Sequence, residues 1–206
     1  MKTIFLRPGK ANTEALNEIL SVIKTETEFI SVAVAYFTHP DIATALIERT
    51  KENRRTRLLL NTSDIIRPAG SDSEVIISKE LLKVINFADY QSNLEIKSLG
   101  LRAKGKYQNM HHKFMVSRNK VIFGSVNWTS AALNSNYECL VASTDKKIIA
   151  EFLDEFNEIW RDAQELYTDK GQLRRIMCPK CEESDGVDFE SFGPVCTYCG
   201  HKFKMI

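Results

Sequence analysis

No stretch of the 206-residue chain approaches the roughly 20 apolar residues that a membrane-spanning helix needs. The N-terminal MKTIFLRPGK runs through three apolar residues before Arg7 and Pro8, short of the roughly 7–15 of a secretory h-region. These two absences predict a soluble, cytoplasmic protein. Neither sign of charge dominates: 28 Lys and Arg against 27 Asp and Glu leave a net +1, which neither requires nor excludes a polyanionic partner. With 43% apolar and 27% charged residues, the composition excludes general disorder. The length suits one medium domain and a small appendage. Cysteine is scarce, and four of the five lie in two C-x-x-C pairs near the C-terminus. In a reducing compartment such pairs suggest metal ligation rather than disulfides. The fifth, Cys139, lies in an apolar run and reads as core.

Acidic residues are nearly missing from one segment. Between Ser92 and Val121, Lys97, Arg102, Lys104, Lys106, Lys113, Arg118 and Lys120 face a single acid, Glu95. A near-neutral protein that gathers positive charge locally can bind a polyanion there. A solvated basic surface is the plainer reading of the same run.

The pattern along the chain is that of an α/β protein. Leu16, Ile19, Leu20 and Ile23 recur at helical spacing and predict a helix over Asn12 to Thr25, with Asn12 or Thr13 as cap. Phe29 to Phe37 predicts a buried strand, Asp41 to Glu52 a second helix, and Arg57 to Leu60 another buried strand. This strand–helix–strand order predicts a βαβ unit within a mixed sheet. Ile65 to Glu74 reads as a loop, Ser78 to Tyr90 as a helix, Leu94 to Leu99 as a strand and Arg102 to Asn109 as a basic loop. Strands are predicted over His111 to Val116 and Lys120 to Phe123, joined by a tight turn at Ser117–Asn119. Tyr137 to Ser143 predicts one more. Asp145 is placed to cap a last helix whose apolar face is Ile149, Phe152, Phe156, Ile159, Trp160 and Ala163.

The residues suited to chemistry gather in the second half. On a strand, residues two apart share a face, so His111 and Lys113 would present an imidazole and an ammonium together. Such a pair can engage a phosphate, although a lone His is more often a surface or packing residue. Gly124, Ser125, Val126 and Asn127 follow, with Ser125 and Asn127 again two apart, and Gly124 permits close backbone approach. Glu138, on the next predicted strand, could orient an imidazole by accepting its hydrogen bond. Singly, Asn127 can be a turn residue, Ser125 a cap and Glu138 a surface carboxylate.

The set His111-His112-Lys113, Gly124-Ser125-Val126-Asn127 and Asn136-Tyr137-Glu138 resembles the H-x-K, G-S-x-N and N-x-E motifs of the phospholipase D superfamily. Trp128-Thr129, Ala131-Ala132, the upstream AYFTHPDIATALIERT and the terminal helix with Phe156 and Trp160 resemble its nuclease branch. The resemblance implies an α/β domain with a mixed β-sheet flanked by helices. It implies His111 as nucleophile, forming a phosphohistidine that water resolves. Lys113 and Asn127, helped by Ser125, would hold the phosphoryl oxygens. Glu138 would orient the imidazole, and a second histidine would protonate the leaving oxygen. No catalytic metal is implied.

Two features qualify the resemblance. Arg118 stands where the family has Asp, and the gap to Gly124 is one residue shorter than usual. Since position 118 falls in a turn, the change is expected to alter turn contacts more than chemistry, while leaving a silent binding protein open. Such a site also needs two histidines and two lysines, yet the chain has one H-x-K and no internal repeat. A two-fold homodimer would complete it.

The C-terminal part changes character beyond Lys170 and Gly171, which sets a boundary near residue 172: a phosphodiesterase domain over 1–172 and a small module over 173–206. Cys178, Cys181, Cys196 and Cys199 form two C-x-x-C pairs separated by fourteen residues, a spacing that places four thiolates around one zinc ion. A module this small depends on its metal for stability, so structural Zn2+ is expected. It resembles a topoisomerase-type zinc ribbon. Arg174, Arg175, His201, Lys202 and Lys204 with Tyr198, Phe192 and Phe203 could contact nucleic acid, but the aromatics could equally form a miniature core.

The reading that follows is a metal-independent endonuclease acting as a homodimer on DNA, or on RNA. A lipid phosphodiesterase acting on a cardiolipin-like substrate and a silent nucleic-acid-binding dimer are the alternatives.

Overall fold

A computed structural model describes residues 1–9, 12–61, 93–103 and 106–165, with shorter pieces at 67–69, 74–77, 83–85, 88, 187–190, 193–196 and 204–205. In chain order the main elements are β1 (Lys2–Leu6), α1 (Thr13–Thr25), β2 (Phe29–Val34), α2 (Pro40–Lys51) and β3 (Arg55–Asn61). They continue with β4 (Arg67–Ala69), β5 (Glu74–Ile77), β6 (Leu94–Ala103), β7 (Lys106–Asn109), β8 (Lys113–Ser117) and β9 (Val121–Gly124). Then come α3 (Ser130–Asn134), β10 (Glu138–Ser143), α4 (Lys146–Asp162) and β11 (Gln164–Glu165). The last described strands are β12 (Val187–Glu190), β13 (Gly193–Cys196) and β14 (Lys204–Met205).

The main sheet runs β1-β10-β9-β8-β2-β3-β6-β11, with β7 paired to β6. β2, β3 and β6 are mutually parallel, as the βαβ pattern predicted. β8, β9, β10 and β1 add antiparallel strands on the other side of β2. The result is the expected mixed sheet between helices, because the strands nearest the middle bury both faces. In β2, Ile30, Val32 and Val34 join the core beneath α1 and α2, while Ala33 joins the core beneath α4. A strand buried on both sides reads as a continuous apolar run, which FISVAV is.

Each helix contributes an apolar stripe. On α1 the buried residues are Ala15, Ile19, Val22 and Ile23. Asn12 does not cap α1: its Nδ2 donates to Leu133 O at 2.7 Å and Arg7 O at 3.3 Å, tying the helix start to the end of α3. Asp145 does cap α4, accepting from Lys147 N (2.8 Å) and Ile148 N (3.3 Å). Phe156 and Trp160 of α4 stack at 5.3 Å, and Phe114 of β8 meets Phe152 edge-on at 5.1 Å. The Arg57 guanidinium lies 4.9 Å from the Phe156 ring centre and donates to Ser31 Oγ and Asn157 Oδ1, each at 3.2 Å.

Buried Arg49 joins α1, α2 and β3. Nη1 donates to Ile23 O at 3.1 Å and to Glu26 O, and Nε donates to Thr56 Oγ1 at 3.2 Å. Burial lowers its pKa to about 10; nearby Arg54 pushes the same way, against Glu26 and Glu52. Glu18 bridges Lys2 and Lys120. Burial would raise its carboxyl, but the hydrogen bond from Lys120, with further help from Lys2, leaves it below the ordinary value.

Several expectations are corrected. MKTIFL, too short and mixed for its pattern alone to mark an element, contains the edge strand β1. The Arg102 to Asn109 segment is not a loop: β6 extends to Ala103 and turns back as β7. Leu99, Leu101 and Ala103 alternate with Gly100 and Arg102 at strand period, a signal hidden by the charges and glycine. Within the expected loop over Ile65 to Glu74, Arg67–Ala69 is a strand paired antiparallel with β5. The helix expected over Ser78 to Tyr90 is seen at 83–85 and 88; the rest lies outside the described residues. The strand expected from His111 begins at Lys113. The boundary near residue 172, with Cys178, Cys181 and Cys199, also lies outside them. Cys196 ends β13, which pairs antiparallel with β12 between the two cysteine pairs. β14 pairs in parallel with β5.

Candidate active site

The sheet order brings five segments to one end. Parallel β2 and β3 finish there at Val34 and Asn61; antiparallel β8 starts there at Lys113, β9 finishes at Gly124 and β10 starts at Glu138. Ligands of α/β sheets characteristically bind outside the carboxyl ends of the parallel strands, where neighbouring connections diverge.

His111 and His112 precede β8, in the segment that crosses from β7 over the ends of β3 and β2. Hydrogen bonds to distant segments hold this crossing. Met110 N–H donates to Oδ1 of buried Asn61 at 3.2 Å, and Ala35 N–H donates to His112 O at 3.1 Å. Strand alternation therefore does not set the direction of His111; these anchors do. His111 is exposed, and Lys113 Nζ donates to its carbonyl oxygen at 2.8 Å. His112 turns elsewhere: its Nε2 lies 3.1 Å from Glu155 Oε1 on α4, and its ring packs edge-on against Phe114 at 5.4 Å.

β9 delivers Gly124 with φ +150°, and an added Cβ would lie 2.1 Å from Cys139 O. Only glycine lets the two strands approach this closely before the chain opens into the Ser125–Trp128 turn. Ser125 Oγ donates to Glu138 Oε2 and accepts from Cys139 N–H at 3.0 Å. Glu138 Oε1 accepts from Asn136 Nδ2 at 3.2 Å. Both carboxylate oxygens are thus held by the two flanking motifs. Asn127 Oδ1 accepts from Tyr36 N–H at 3.3 Å, which turns its amide NH2 the other way.

The turn is lashed to the end of β2. Trp128 N–H donates to Tyr36 O at 3.0 Å, while Trp128 O accepts from Thr38 N–H (2.9 Å) and His39 N–H (3.0 Å). The Phe37 and Trp128 rings meet edge-on at 5.5 Å. His39 is buried with its Nδ1 unpartnered, and burial lowers its pKa against an opposing pull from Asp41.

Lys113, Ser125, Asn127 and Glu138 therefore occupy the same end of the sheet as His111. Arg118 does not. It lies at the opposite end of β8, about 13–17 Å of strand from Lys113, paired with Glu28 at the start of β2. The expectation that position 118 belongs to a turn holds. Sequence reasoning missed Asn61, Tyr36 and His39. A polar residue closing the apolar run LLLN was the available signal for Asn61; Tyr36 acts through its backbone and had none.

His111 and Ser125 are exposed, Lys113, Asn127 and Glu138 half-buried, and an imidazole, an ammonium, a hydroxyl, an amide and a carboxylate at one end of the sheet suit the binding of a phosphoryl group. A family model described as "Cardiolipin synthase, PLD-like domain" matches residues 19–160. Among curated proteins, a mitochondrial cardiolipin hydrolase from Chlamydomonas reinhardtii is 24% identical over 71% of this chain and 57% of its own length. The Homo sapiens mitochondrial cardiolipin hydrolase is 34% identical over 38% of this chain and 34% of its own. The chain thus spans less than two thirds of these relatives. Among solved structures, NucT from Helicobacter pylori superposes with a TM-score of 0.65 at 23% identity, covering 80% of this chain and 98% of that one. The phospholipase D family member Nuc from Salmonella typhimurium gives 0.59 at 20% identity, covering 80% and 97%.

Proposed function

The chain belongs to the phospholipase D-like family, and from that premise we propose that it is a phosphodiesterase cleaving DNA, and secondarily RNA, as an endonuclease. The observation that carries this reading is the meeting of His111, Lys113, Ser125, Asn127 and Glu138 at one end of the sheet. An imidazole nitrogen of His111 attacks phosphorus, forming a P–N bond as the bond to the leaving oxygen breaks. A second histidine gives that oxygen its proton. Water, deprotonated by the same second histidine, then attacks phosphorus and releases His111. Lys113 and the Asn127 NH2 hold the phosphoryl oxygens where negative charge grows. Glu138, fixed by Ser125 and Asn136, orients the imidazole and Ser125. This chemistry, by family resemblance, needs no catalytic metal.

The second histidine comes from a second copy of the chain. Phe5 and Tyr137, 72% and 80% exposed, support this: Phe5 pairs with Cys139 and Tyr137 adjoins Glu138, so apolar surface borders the site. Light scattering is expected to give twice the 23.5 kDa chain mass; activity that stays with a dilution-stable monomer overturns the dimer.

Nucleic acid is favoured over lipid by the basic segment leading into His111. Among the described residues no helix is long and apolar enough to cross a membrane. The names of the curated relatives favour a second reading, hydrolysis of a cardiolipin-like lipid. Purified protein would be incubated with plasmid, single-stranded DNA, RNA and cardiolipin, with and without brief EDTA treatment, beside a His111→Ala variant. EDTA-resistant nucleic-acid cleavage lost in the variant supports the endonuclease. Lipid turnover alone supports the second reading, and nucleic-acid binding without turnover supports a silent binder.

We further propose a four-thiolate zinc ribbon over 173–206, supported by the spacing of Cys178, Cys181, Cys196 and Cys199 and by the β12–β13 hairpin between the pairs.

A further inference from the structure

Met110, His111 and His112 form the crossing between β7 and β8, and their side chains part company. Met110 is buried with Phe114 and Val116 in the core beneath α4. His112 turns to the same side: its ring meets Phe114 edge-on at 5.4 Å, and its Nε2 lies 3.1 Å from Glu155 Oε1 on α4. A carboxylate only accepts, so Nε2 is a ring nitrogen that carries a proton. His111, between these two anchored residues, is exposed.

The backbone of the crossing is tied to the sheet through Asn61 Oδ1 and Ala35 N–H. The His112–Glu155 bond adds a side-chain tie to α4, one residue from His111. That helix is firm ground, since Phe156 and Trp160 are buried in the core and Phe152 packs against Phe114 at 5.1 Å. His112 and Glu155 are themselves about half exposed, 45% and 47%. An exposed pair of this kind contributes little to stability. Its effect on geometry is larger, because displacing a reacting group by about 1 Å can cost on the order of 10²-fold in rate.

We propose that His112 and Glu155 are positioning residues: their hydrogen bond holds the crossing against α4 and keeps the His111 imidazole directed at phosphorus. The inference rests on the reading of His111 as nucleophile. It applies to nucleic-acid and lipid phosphodiesters alike, because it concerns the reacting group and not the rest of the substrate.

The test follows hydrolysis of bis(p-nitrophenyl) phosphate by the full chain and by Glu155→Ala, Glu155→Gln, His112→Ala and the double alanine variant, with thermal melting of each. Glu155→Ala should lower kcat about tenfold while KM stays within about twofold. Its melting temperature should stay within about 2 °C of the parent. Glu155→Gln keeps an oxygen acceptor in place and should recover most of kcat. The double alanine variant should be about as slow as His112→Ala alone, since the two residues act through one bond. Unchanged kcat in Glu155→Ala overturns the proposal, as does a change confined to KM, which would place the pair in substrate binding. A kcat loss that Glu155→Gln does not recover, or strictly additive losses in the double variant, also overturns it. So does a kcat loss that follows a large fall in melting temperature, which would make the bond structural. If the parent does not hydrolyse the ester, or His111→Ala hydrolyses it as well as the parent, the underlying reading fails, and that is seen before the other variants are compared.

Discussion

Ser125 and Glu138 close the gap between β9 and β10: the Ser125 hydroxyl donates to Glu138 Oε2 and accepts the Cys139 N–H at 3.0 Å. The pair couples the G-S-x-N turn to the N-x-E segment, so the two motifs act as one unit. Ser125→Ala and Glu138→Gln should each lower turnover by roughly 10²-fold with little change in thermal stability. In a double-mutant cycle the effects should fall short of additivity by about 1 kcal/mol or more. Strictly additive losses would mean that the two residues act separately.

Gly124 sets how closely β9 and β10 approach. In Gly124→Ala, the new Cβ meets Cys139 O at 2.1 Å on a backbone at φ +150°. The variant should lose about 2 kcal/mol or more in urea unfolding, with activity falling even where it remains folded. A stability within experimental error of the parent would show that the strands can part without cost.

Arg49 lies far from the site and is a test of the fold alone. Arg49→Met leaves the Ile23 and Glu26 carbonyls and the Thr56 hydroxyl without their shared donor, at a cost of about 3 kcal/mol or more. Arg49→Lys should recover only part of this, because an ammonium cannot span the same acceptors. Equal stability of the two variants in denaturant titrations would contradict this role.

His39 should make the fold sensitive to mild acid. Its folded pKa lies below the ordinary 6.5, so between the two values the unfolded chain binds more protons. Its contribution is complete above about pH 6.5 and declines as pH falls towards the folded value, by no more than about 1.4 kcal/mol per unit for one proton. His39→Asn, which can cap α2, should flatten that part of the stability–pH curve. Parallel curves for parent and variant between about pH 7 and 5 would remove His39 as the cause.

The cysteine pairs predict one zinc per chain by elemental analysis. Cys181→Ser should reduce that content and destabilise the C-terminal module, while EDTA too brief to strip the ribbon should leave phosphodiester cleavage intact. Zinc content unchanged in Cys181→Ser would reject the four-thiolate site.

Much of the fold could be read along the chain. FISVAV and RTRLLLN signalled strands buried on both faces, and the stripe through Ile149, Phe156 and Trp160 signalled α4, because burial imposes a period on local sequence. Edge strand β1 and the β6–β7 hairpin escaped for the same reason. β1 alternates exposed and buried residues and its partner, β10, lies far away in sequence, while charges and a glycine hid the strand period of the β6–β7 hairpin.

Residue types and spacing sufficed to single out His111, Lys113, Ser125, Asn127 and Glu138, since phosphoryl chemistry needs an imidazole, cations and fixed donors. How they are held was decided in three dimensions. His111 was expected on a strand, yet its place depends on Asn61 and Ala35, which hold the crossing segment from strands far upstream. Glu138 is gripped by Ser125 and Asn136, and Asn127 by the backbone of Tyr36. Arg118, one turn away from the motif in sequence, was carried to the far end of β8 and paired with Glu28. Composition specifies which groups are available, whereas hydrogen bonds between distant segments fix their directions, and those bonds form only when the sheet assembles.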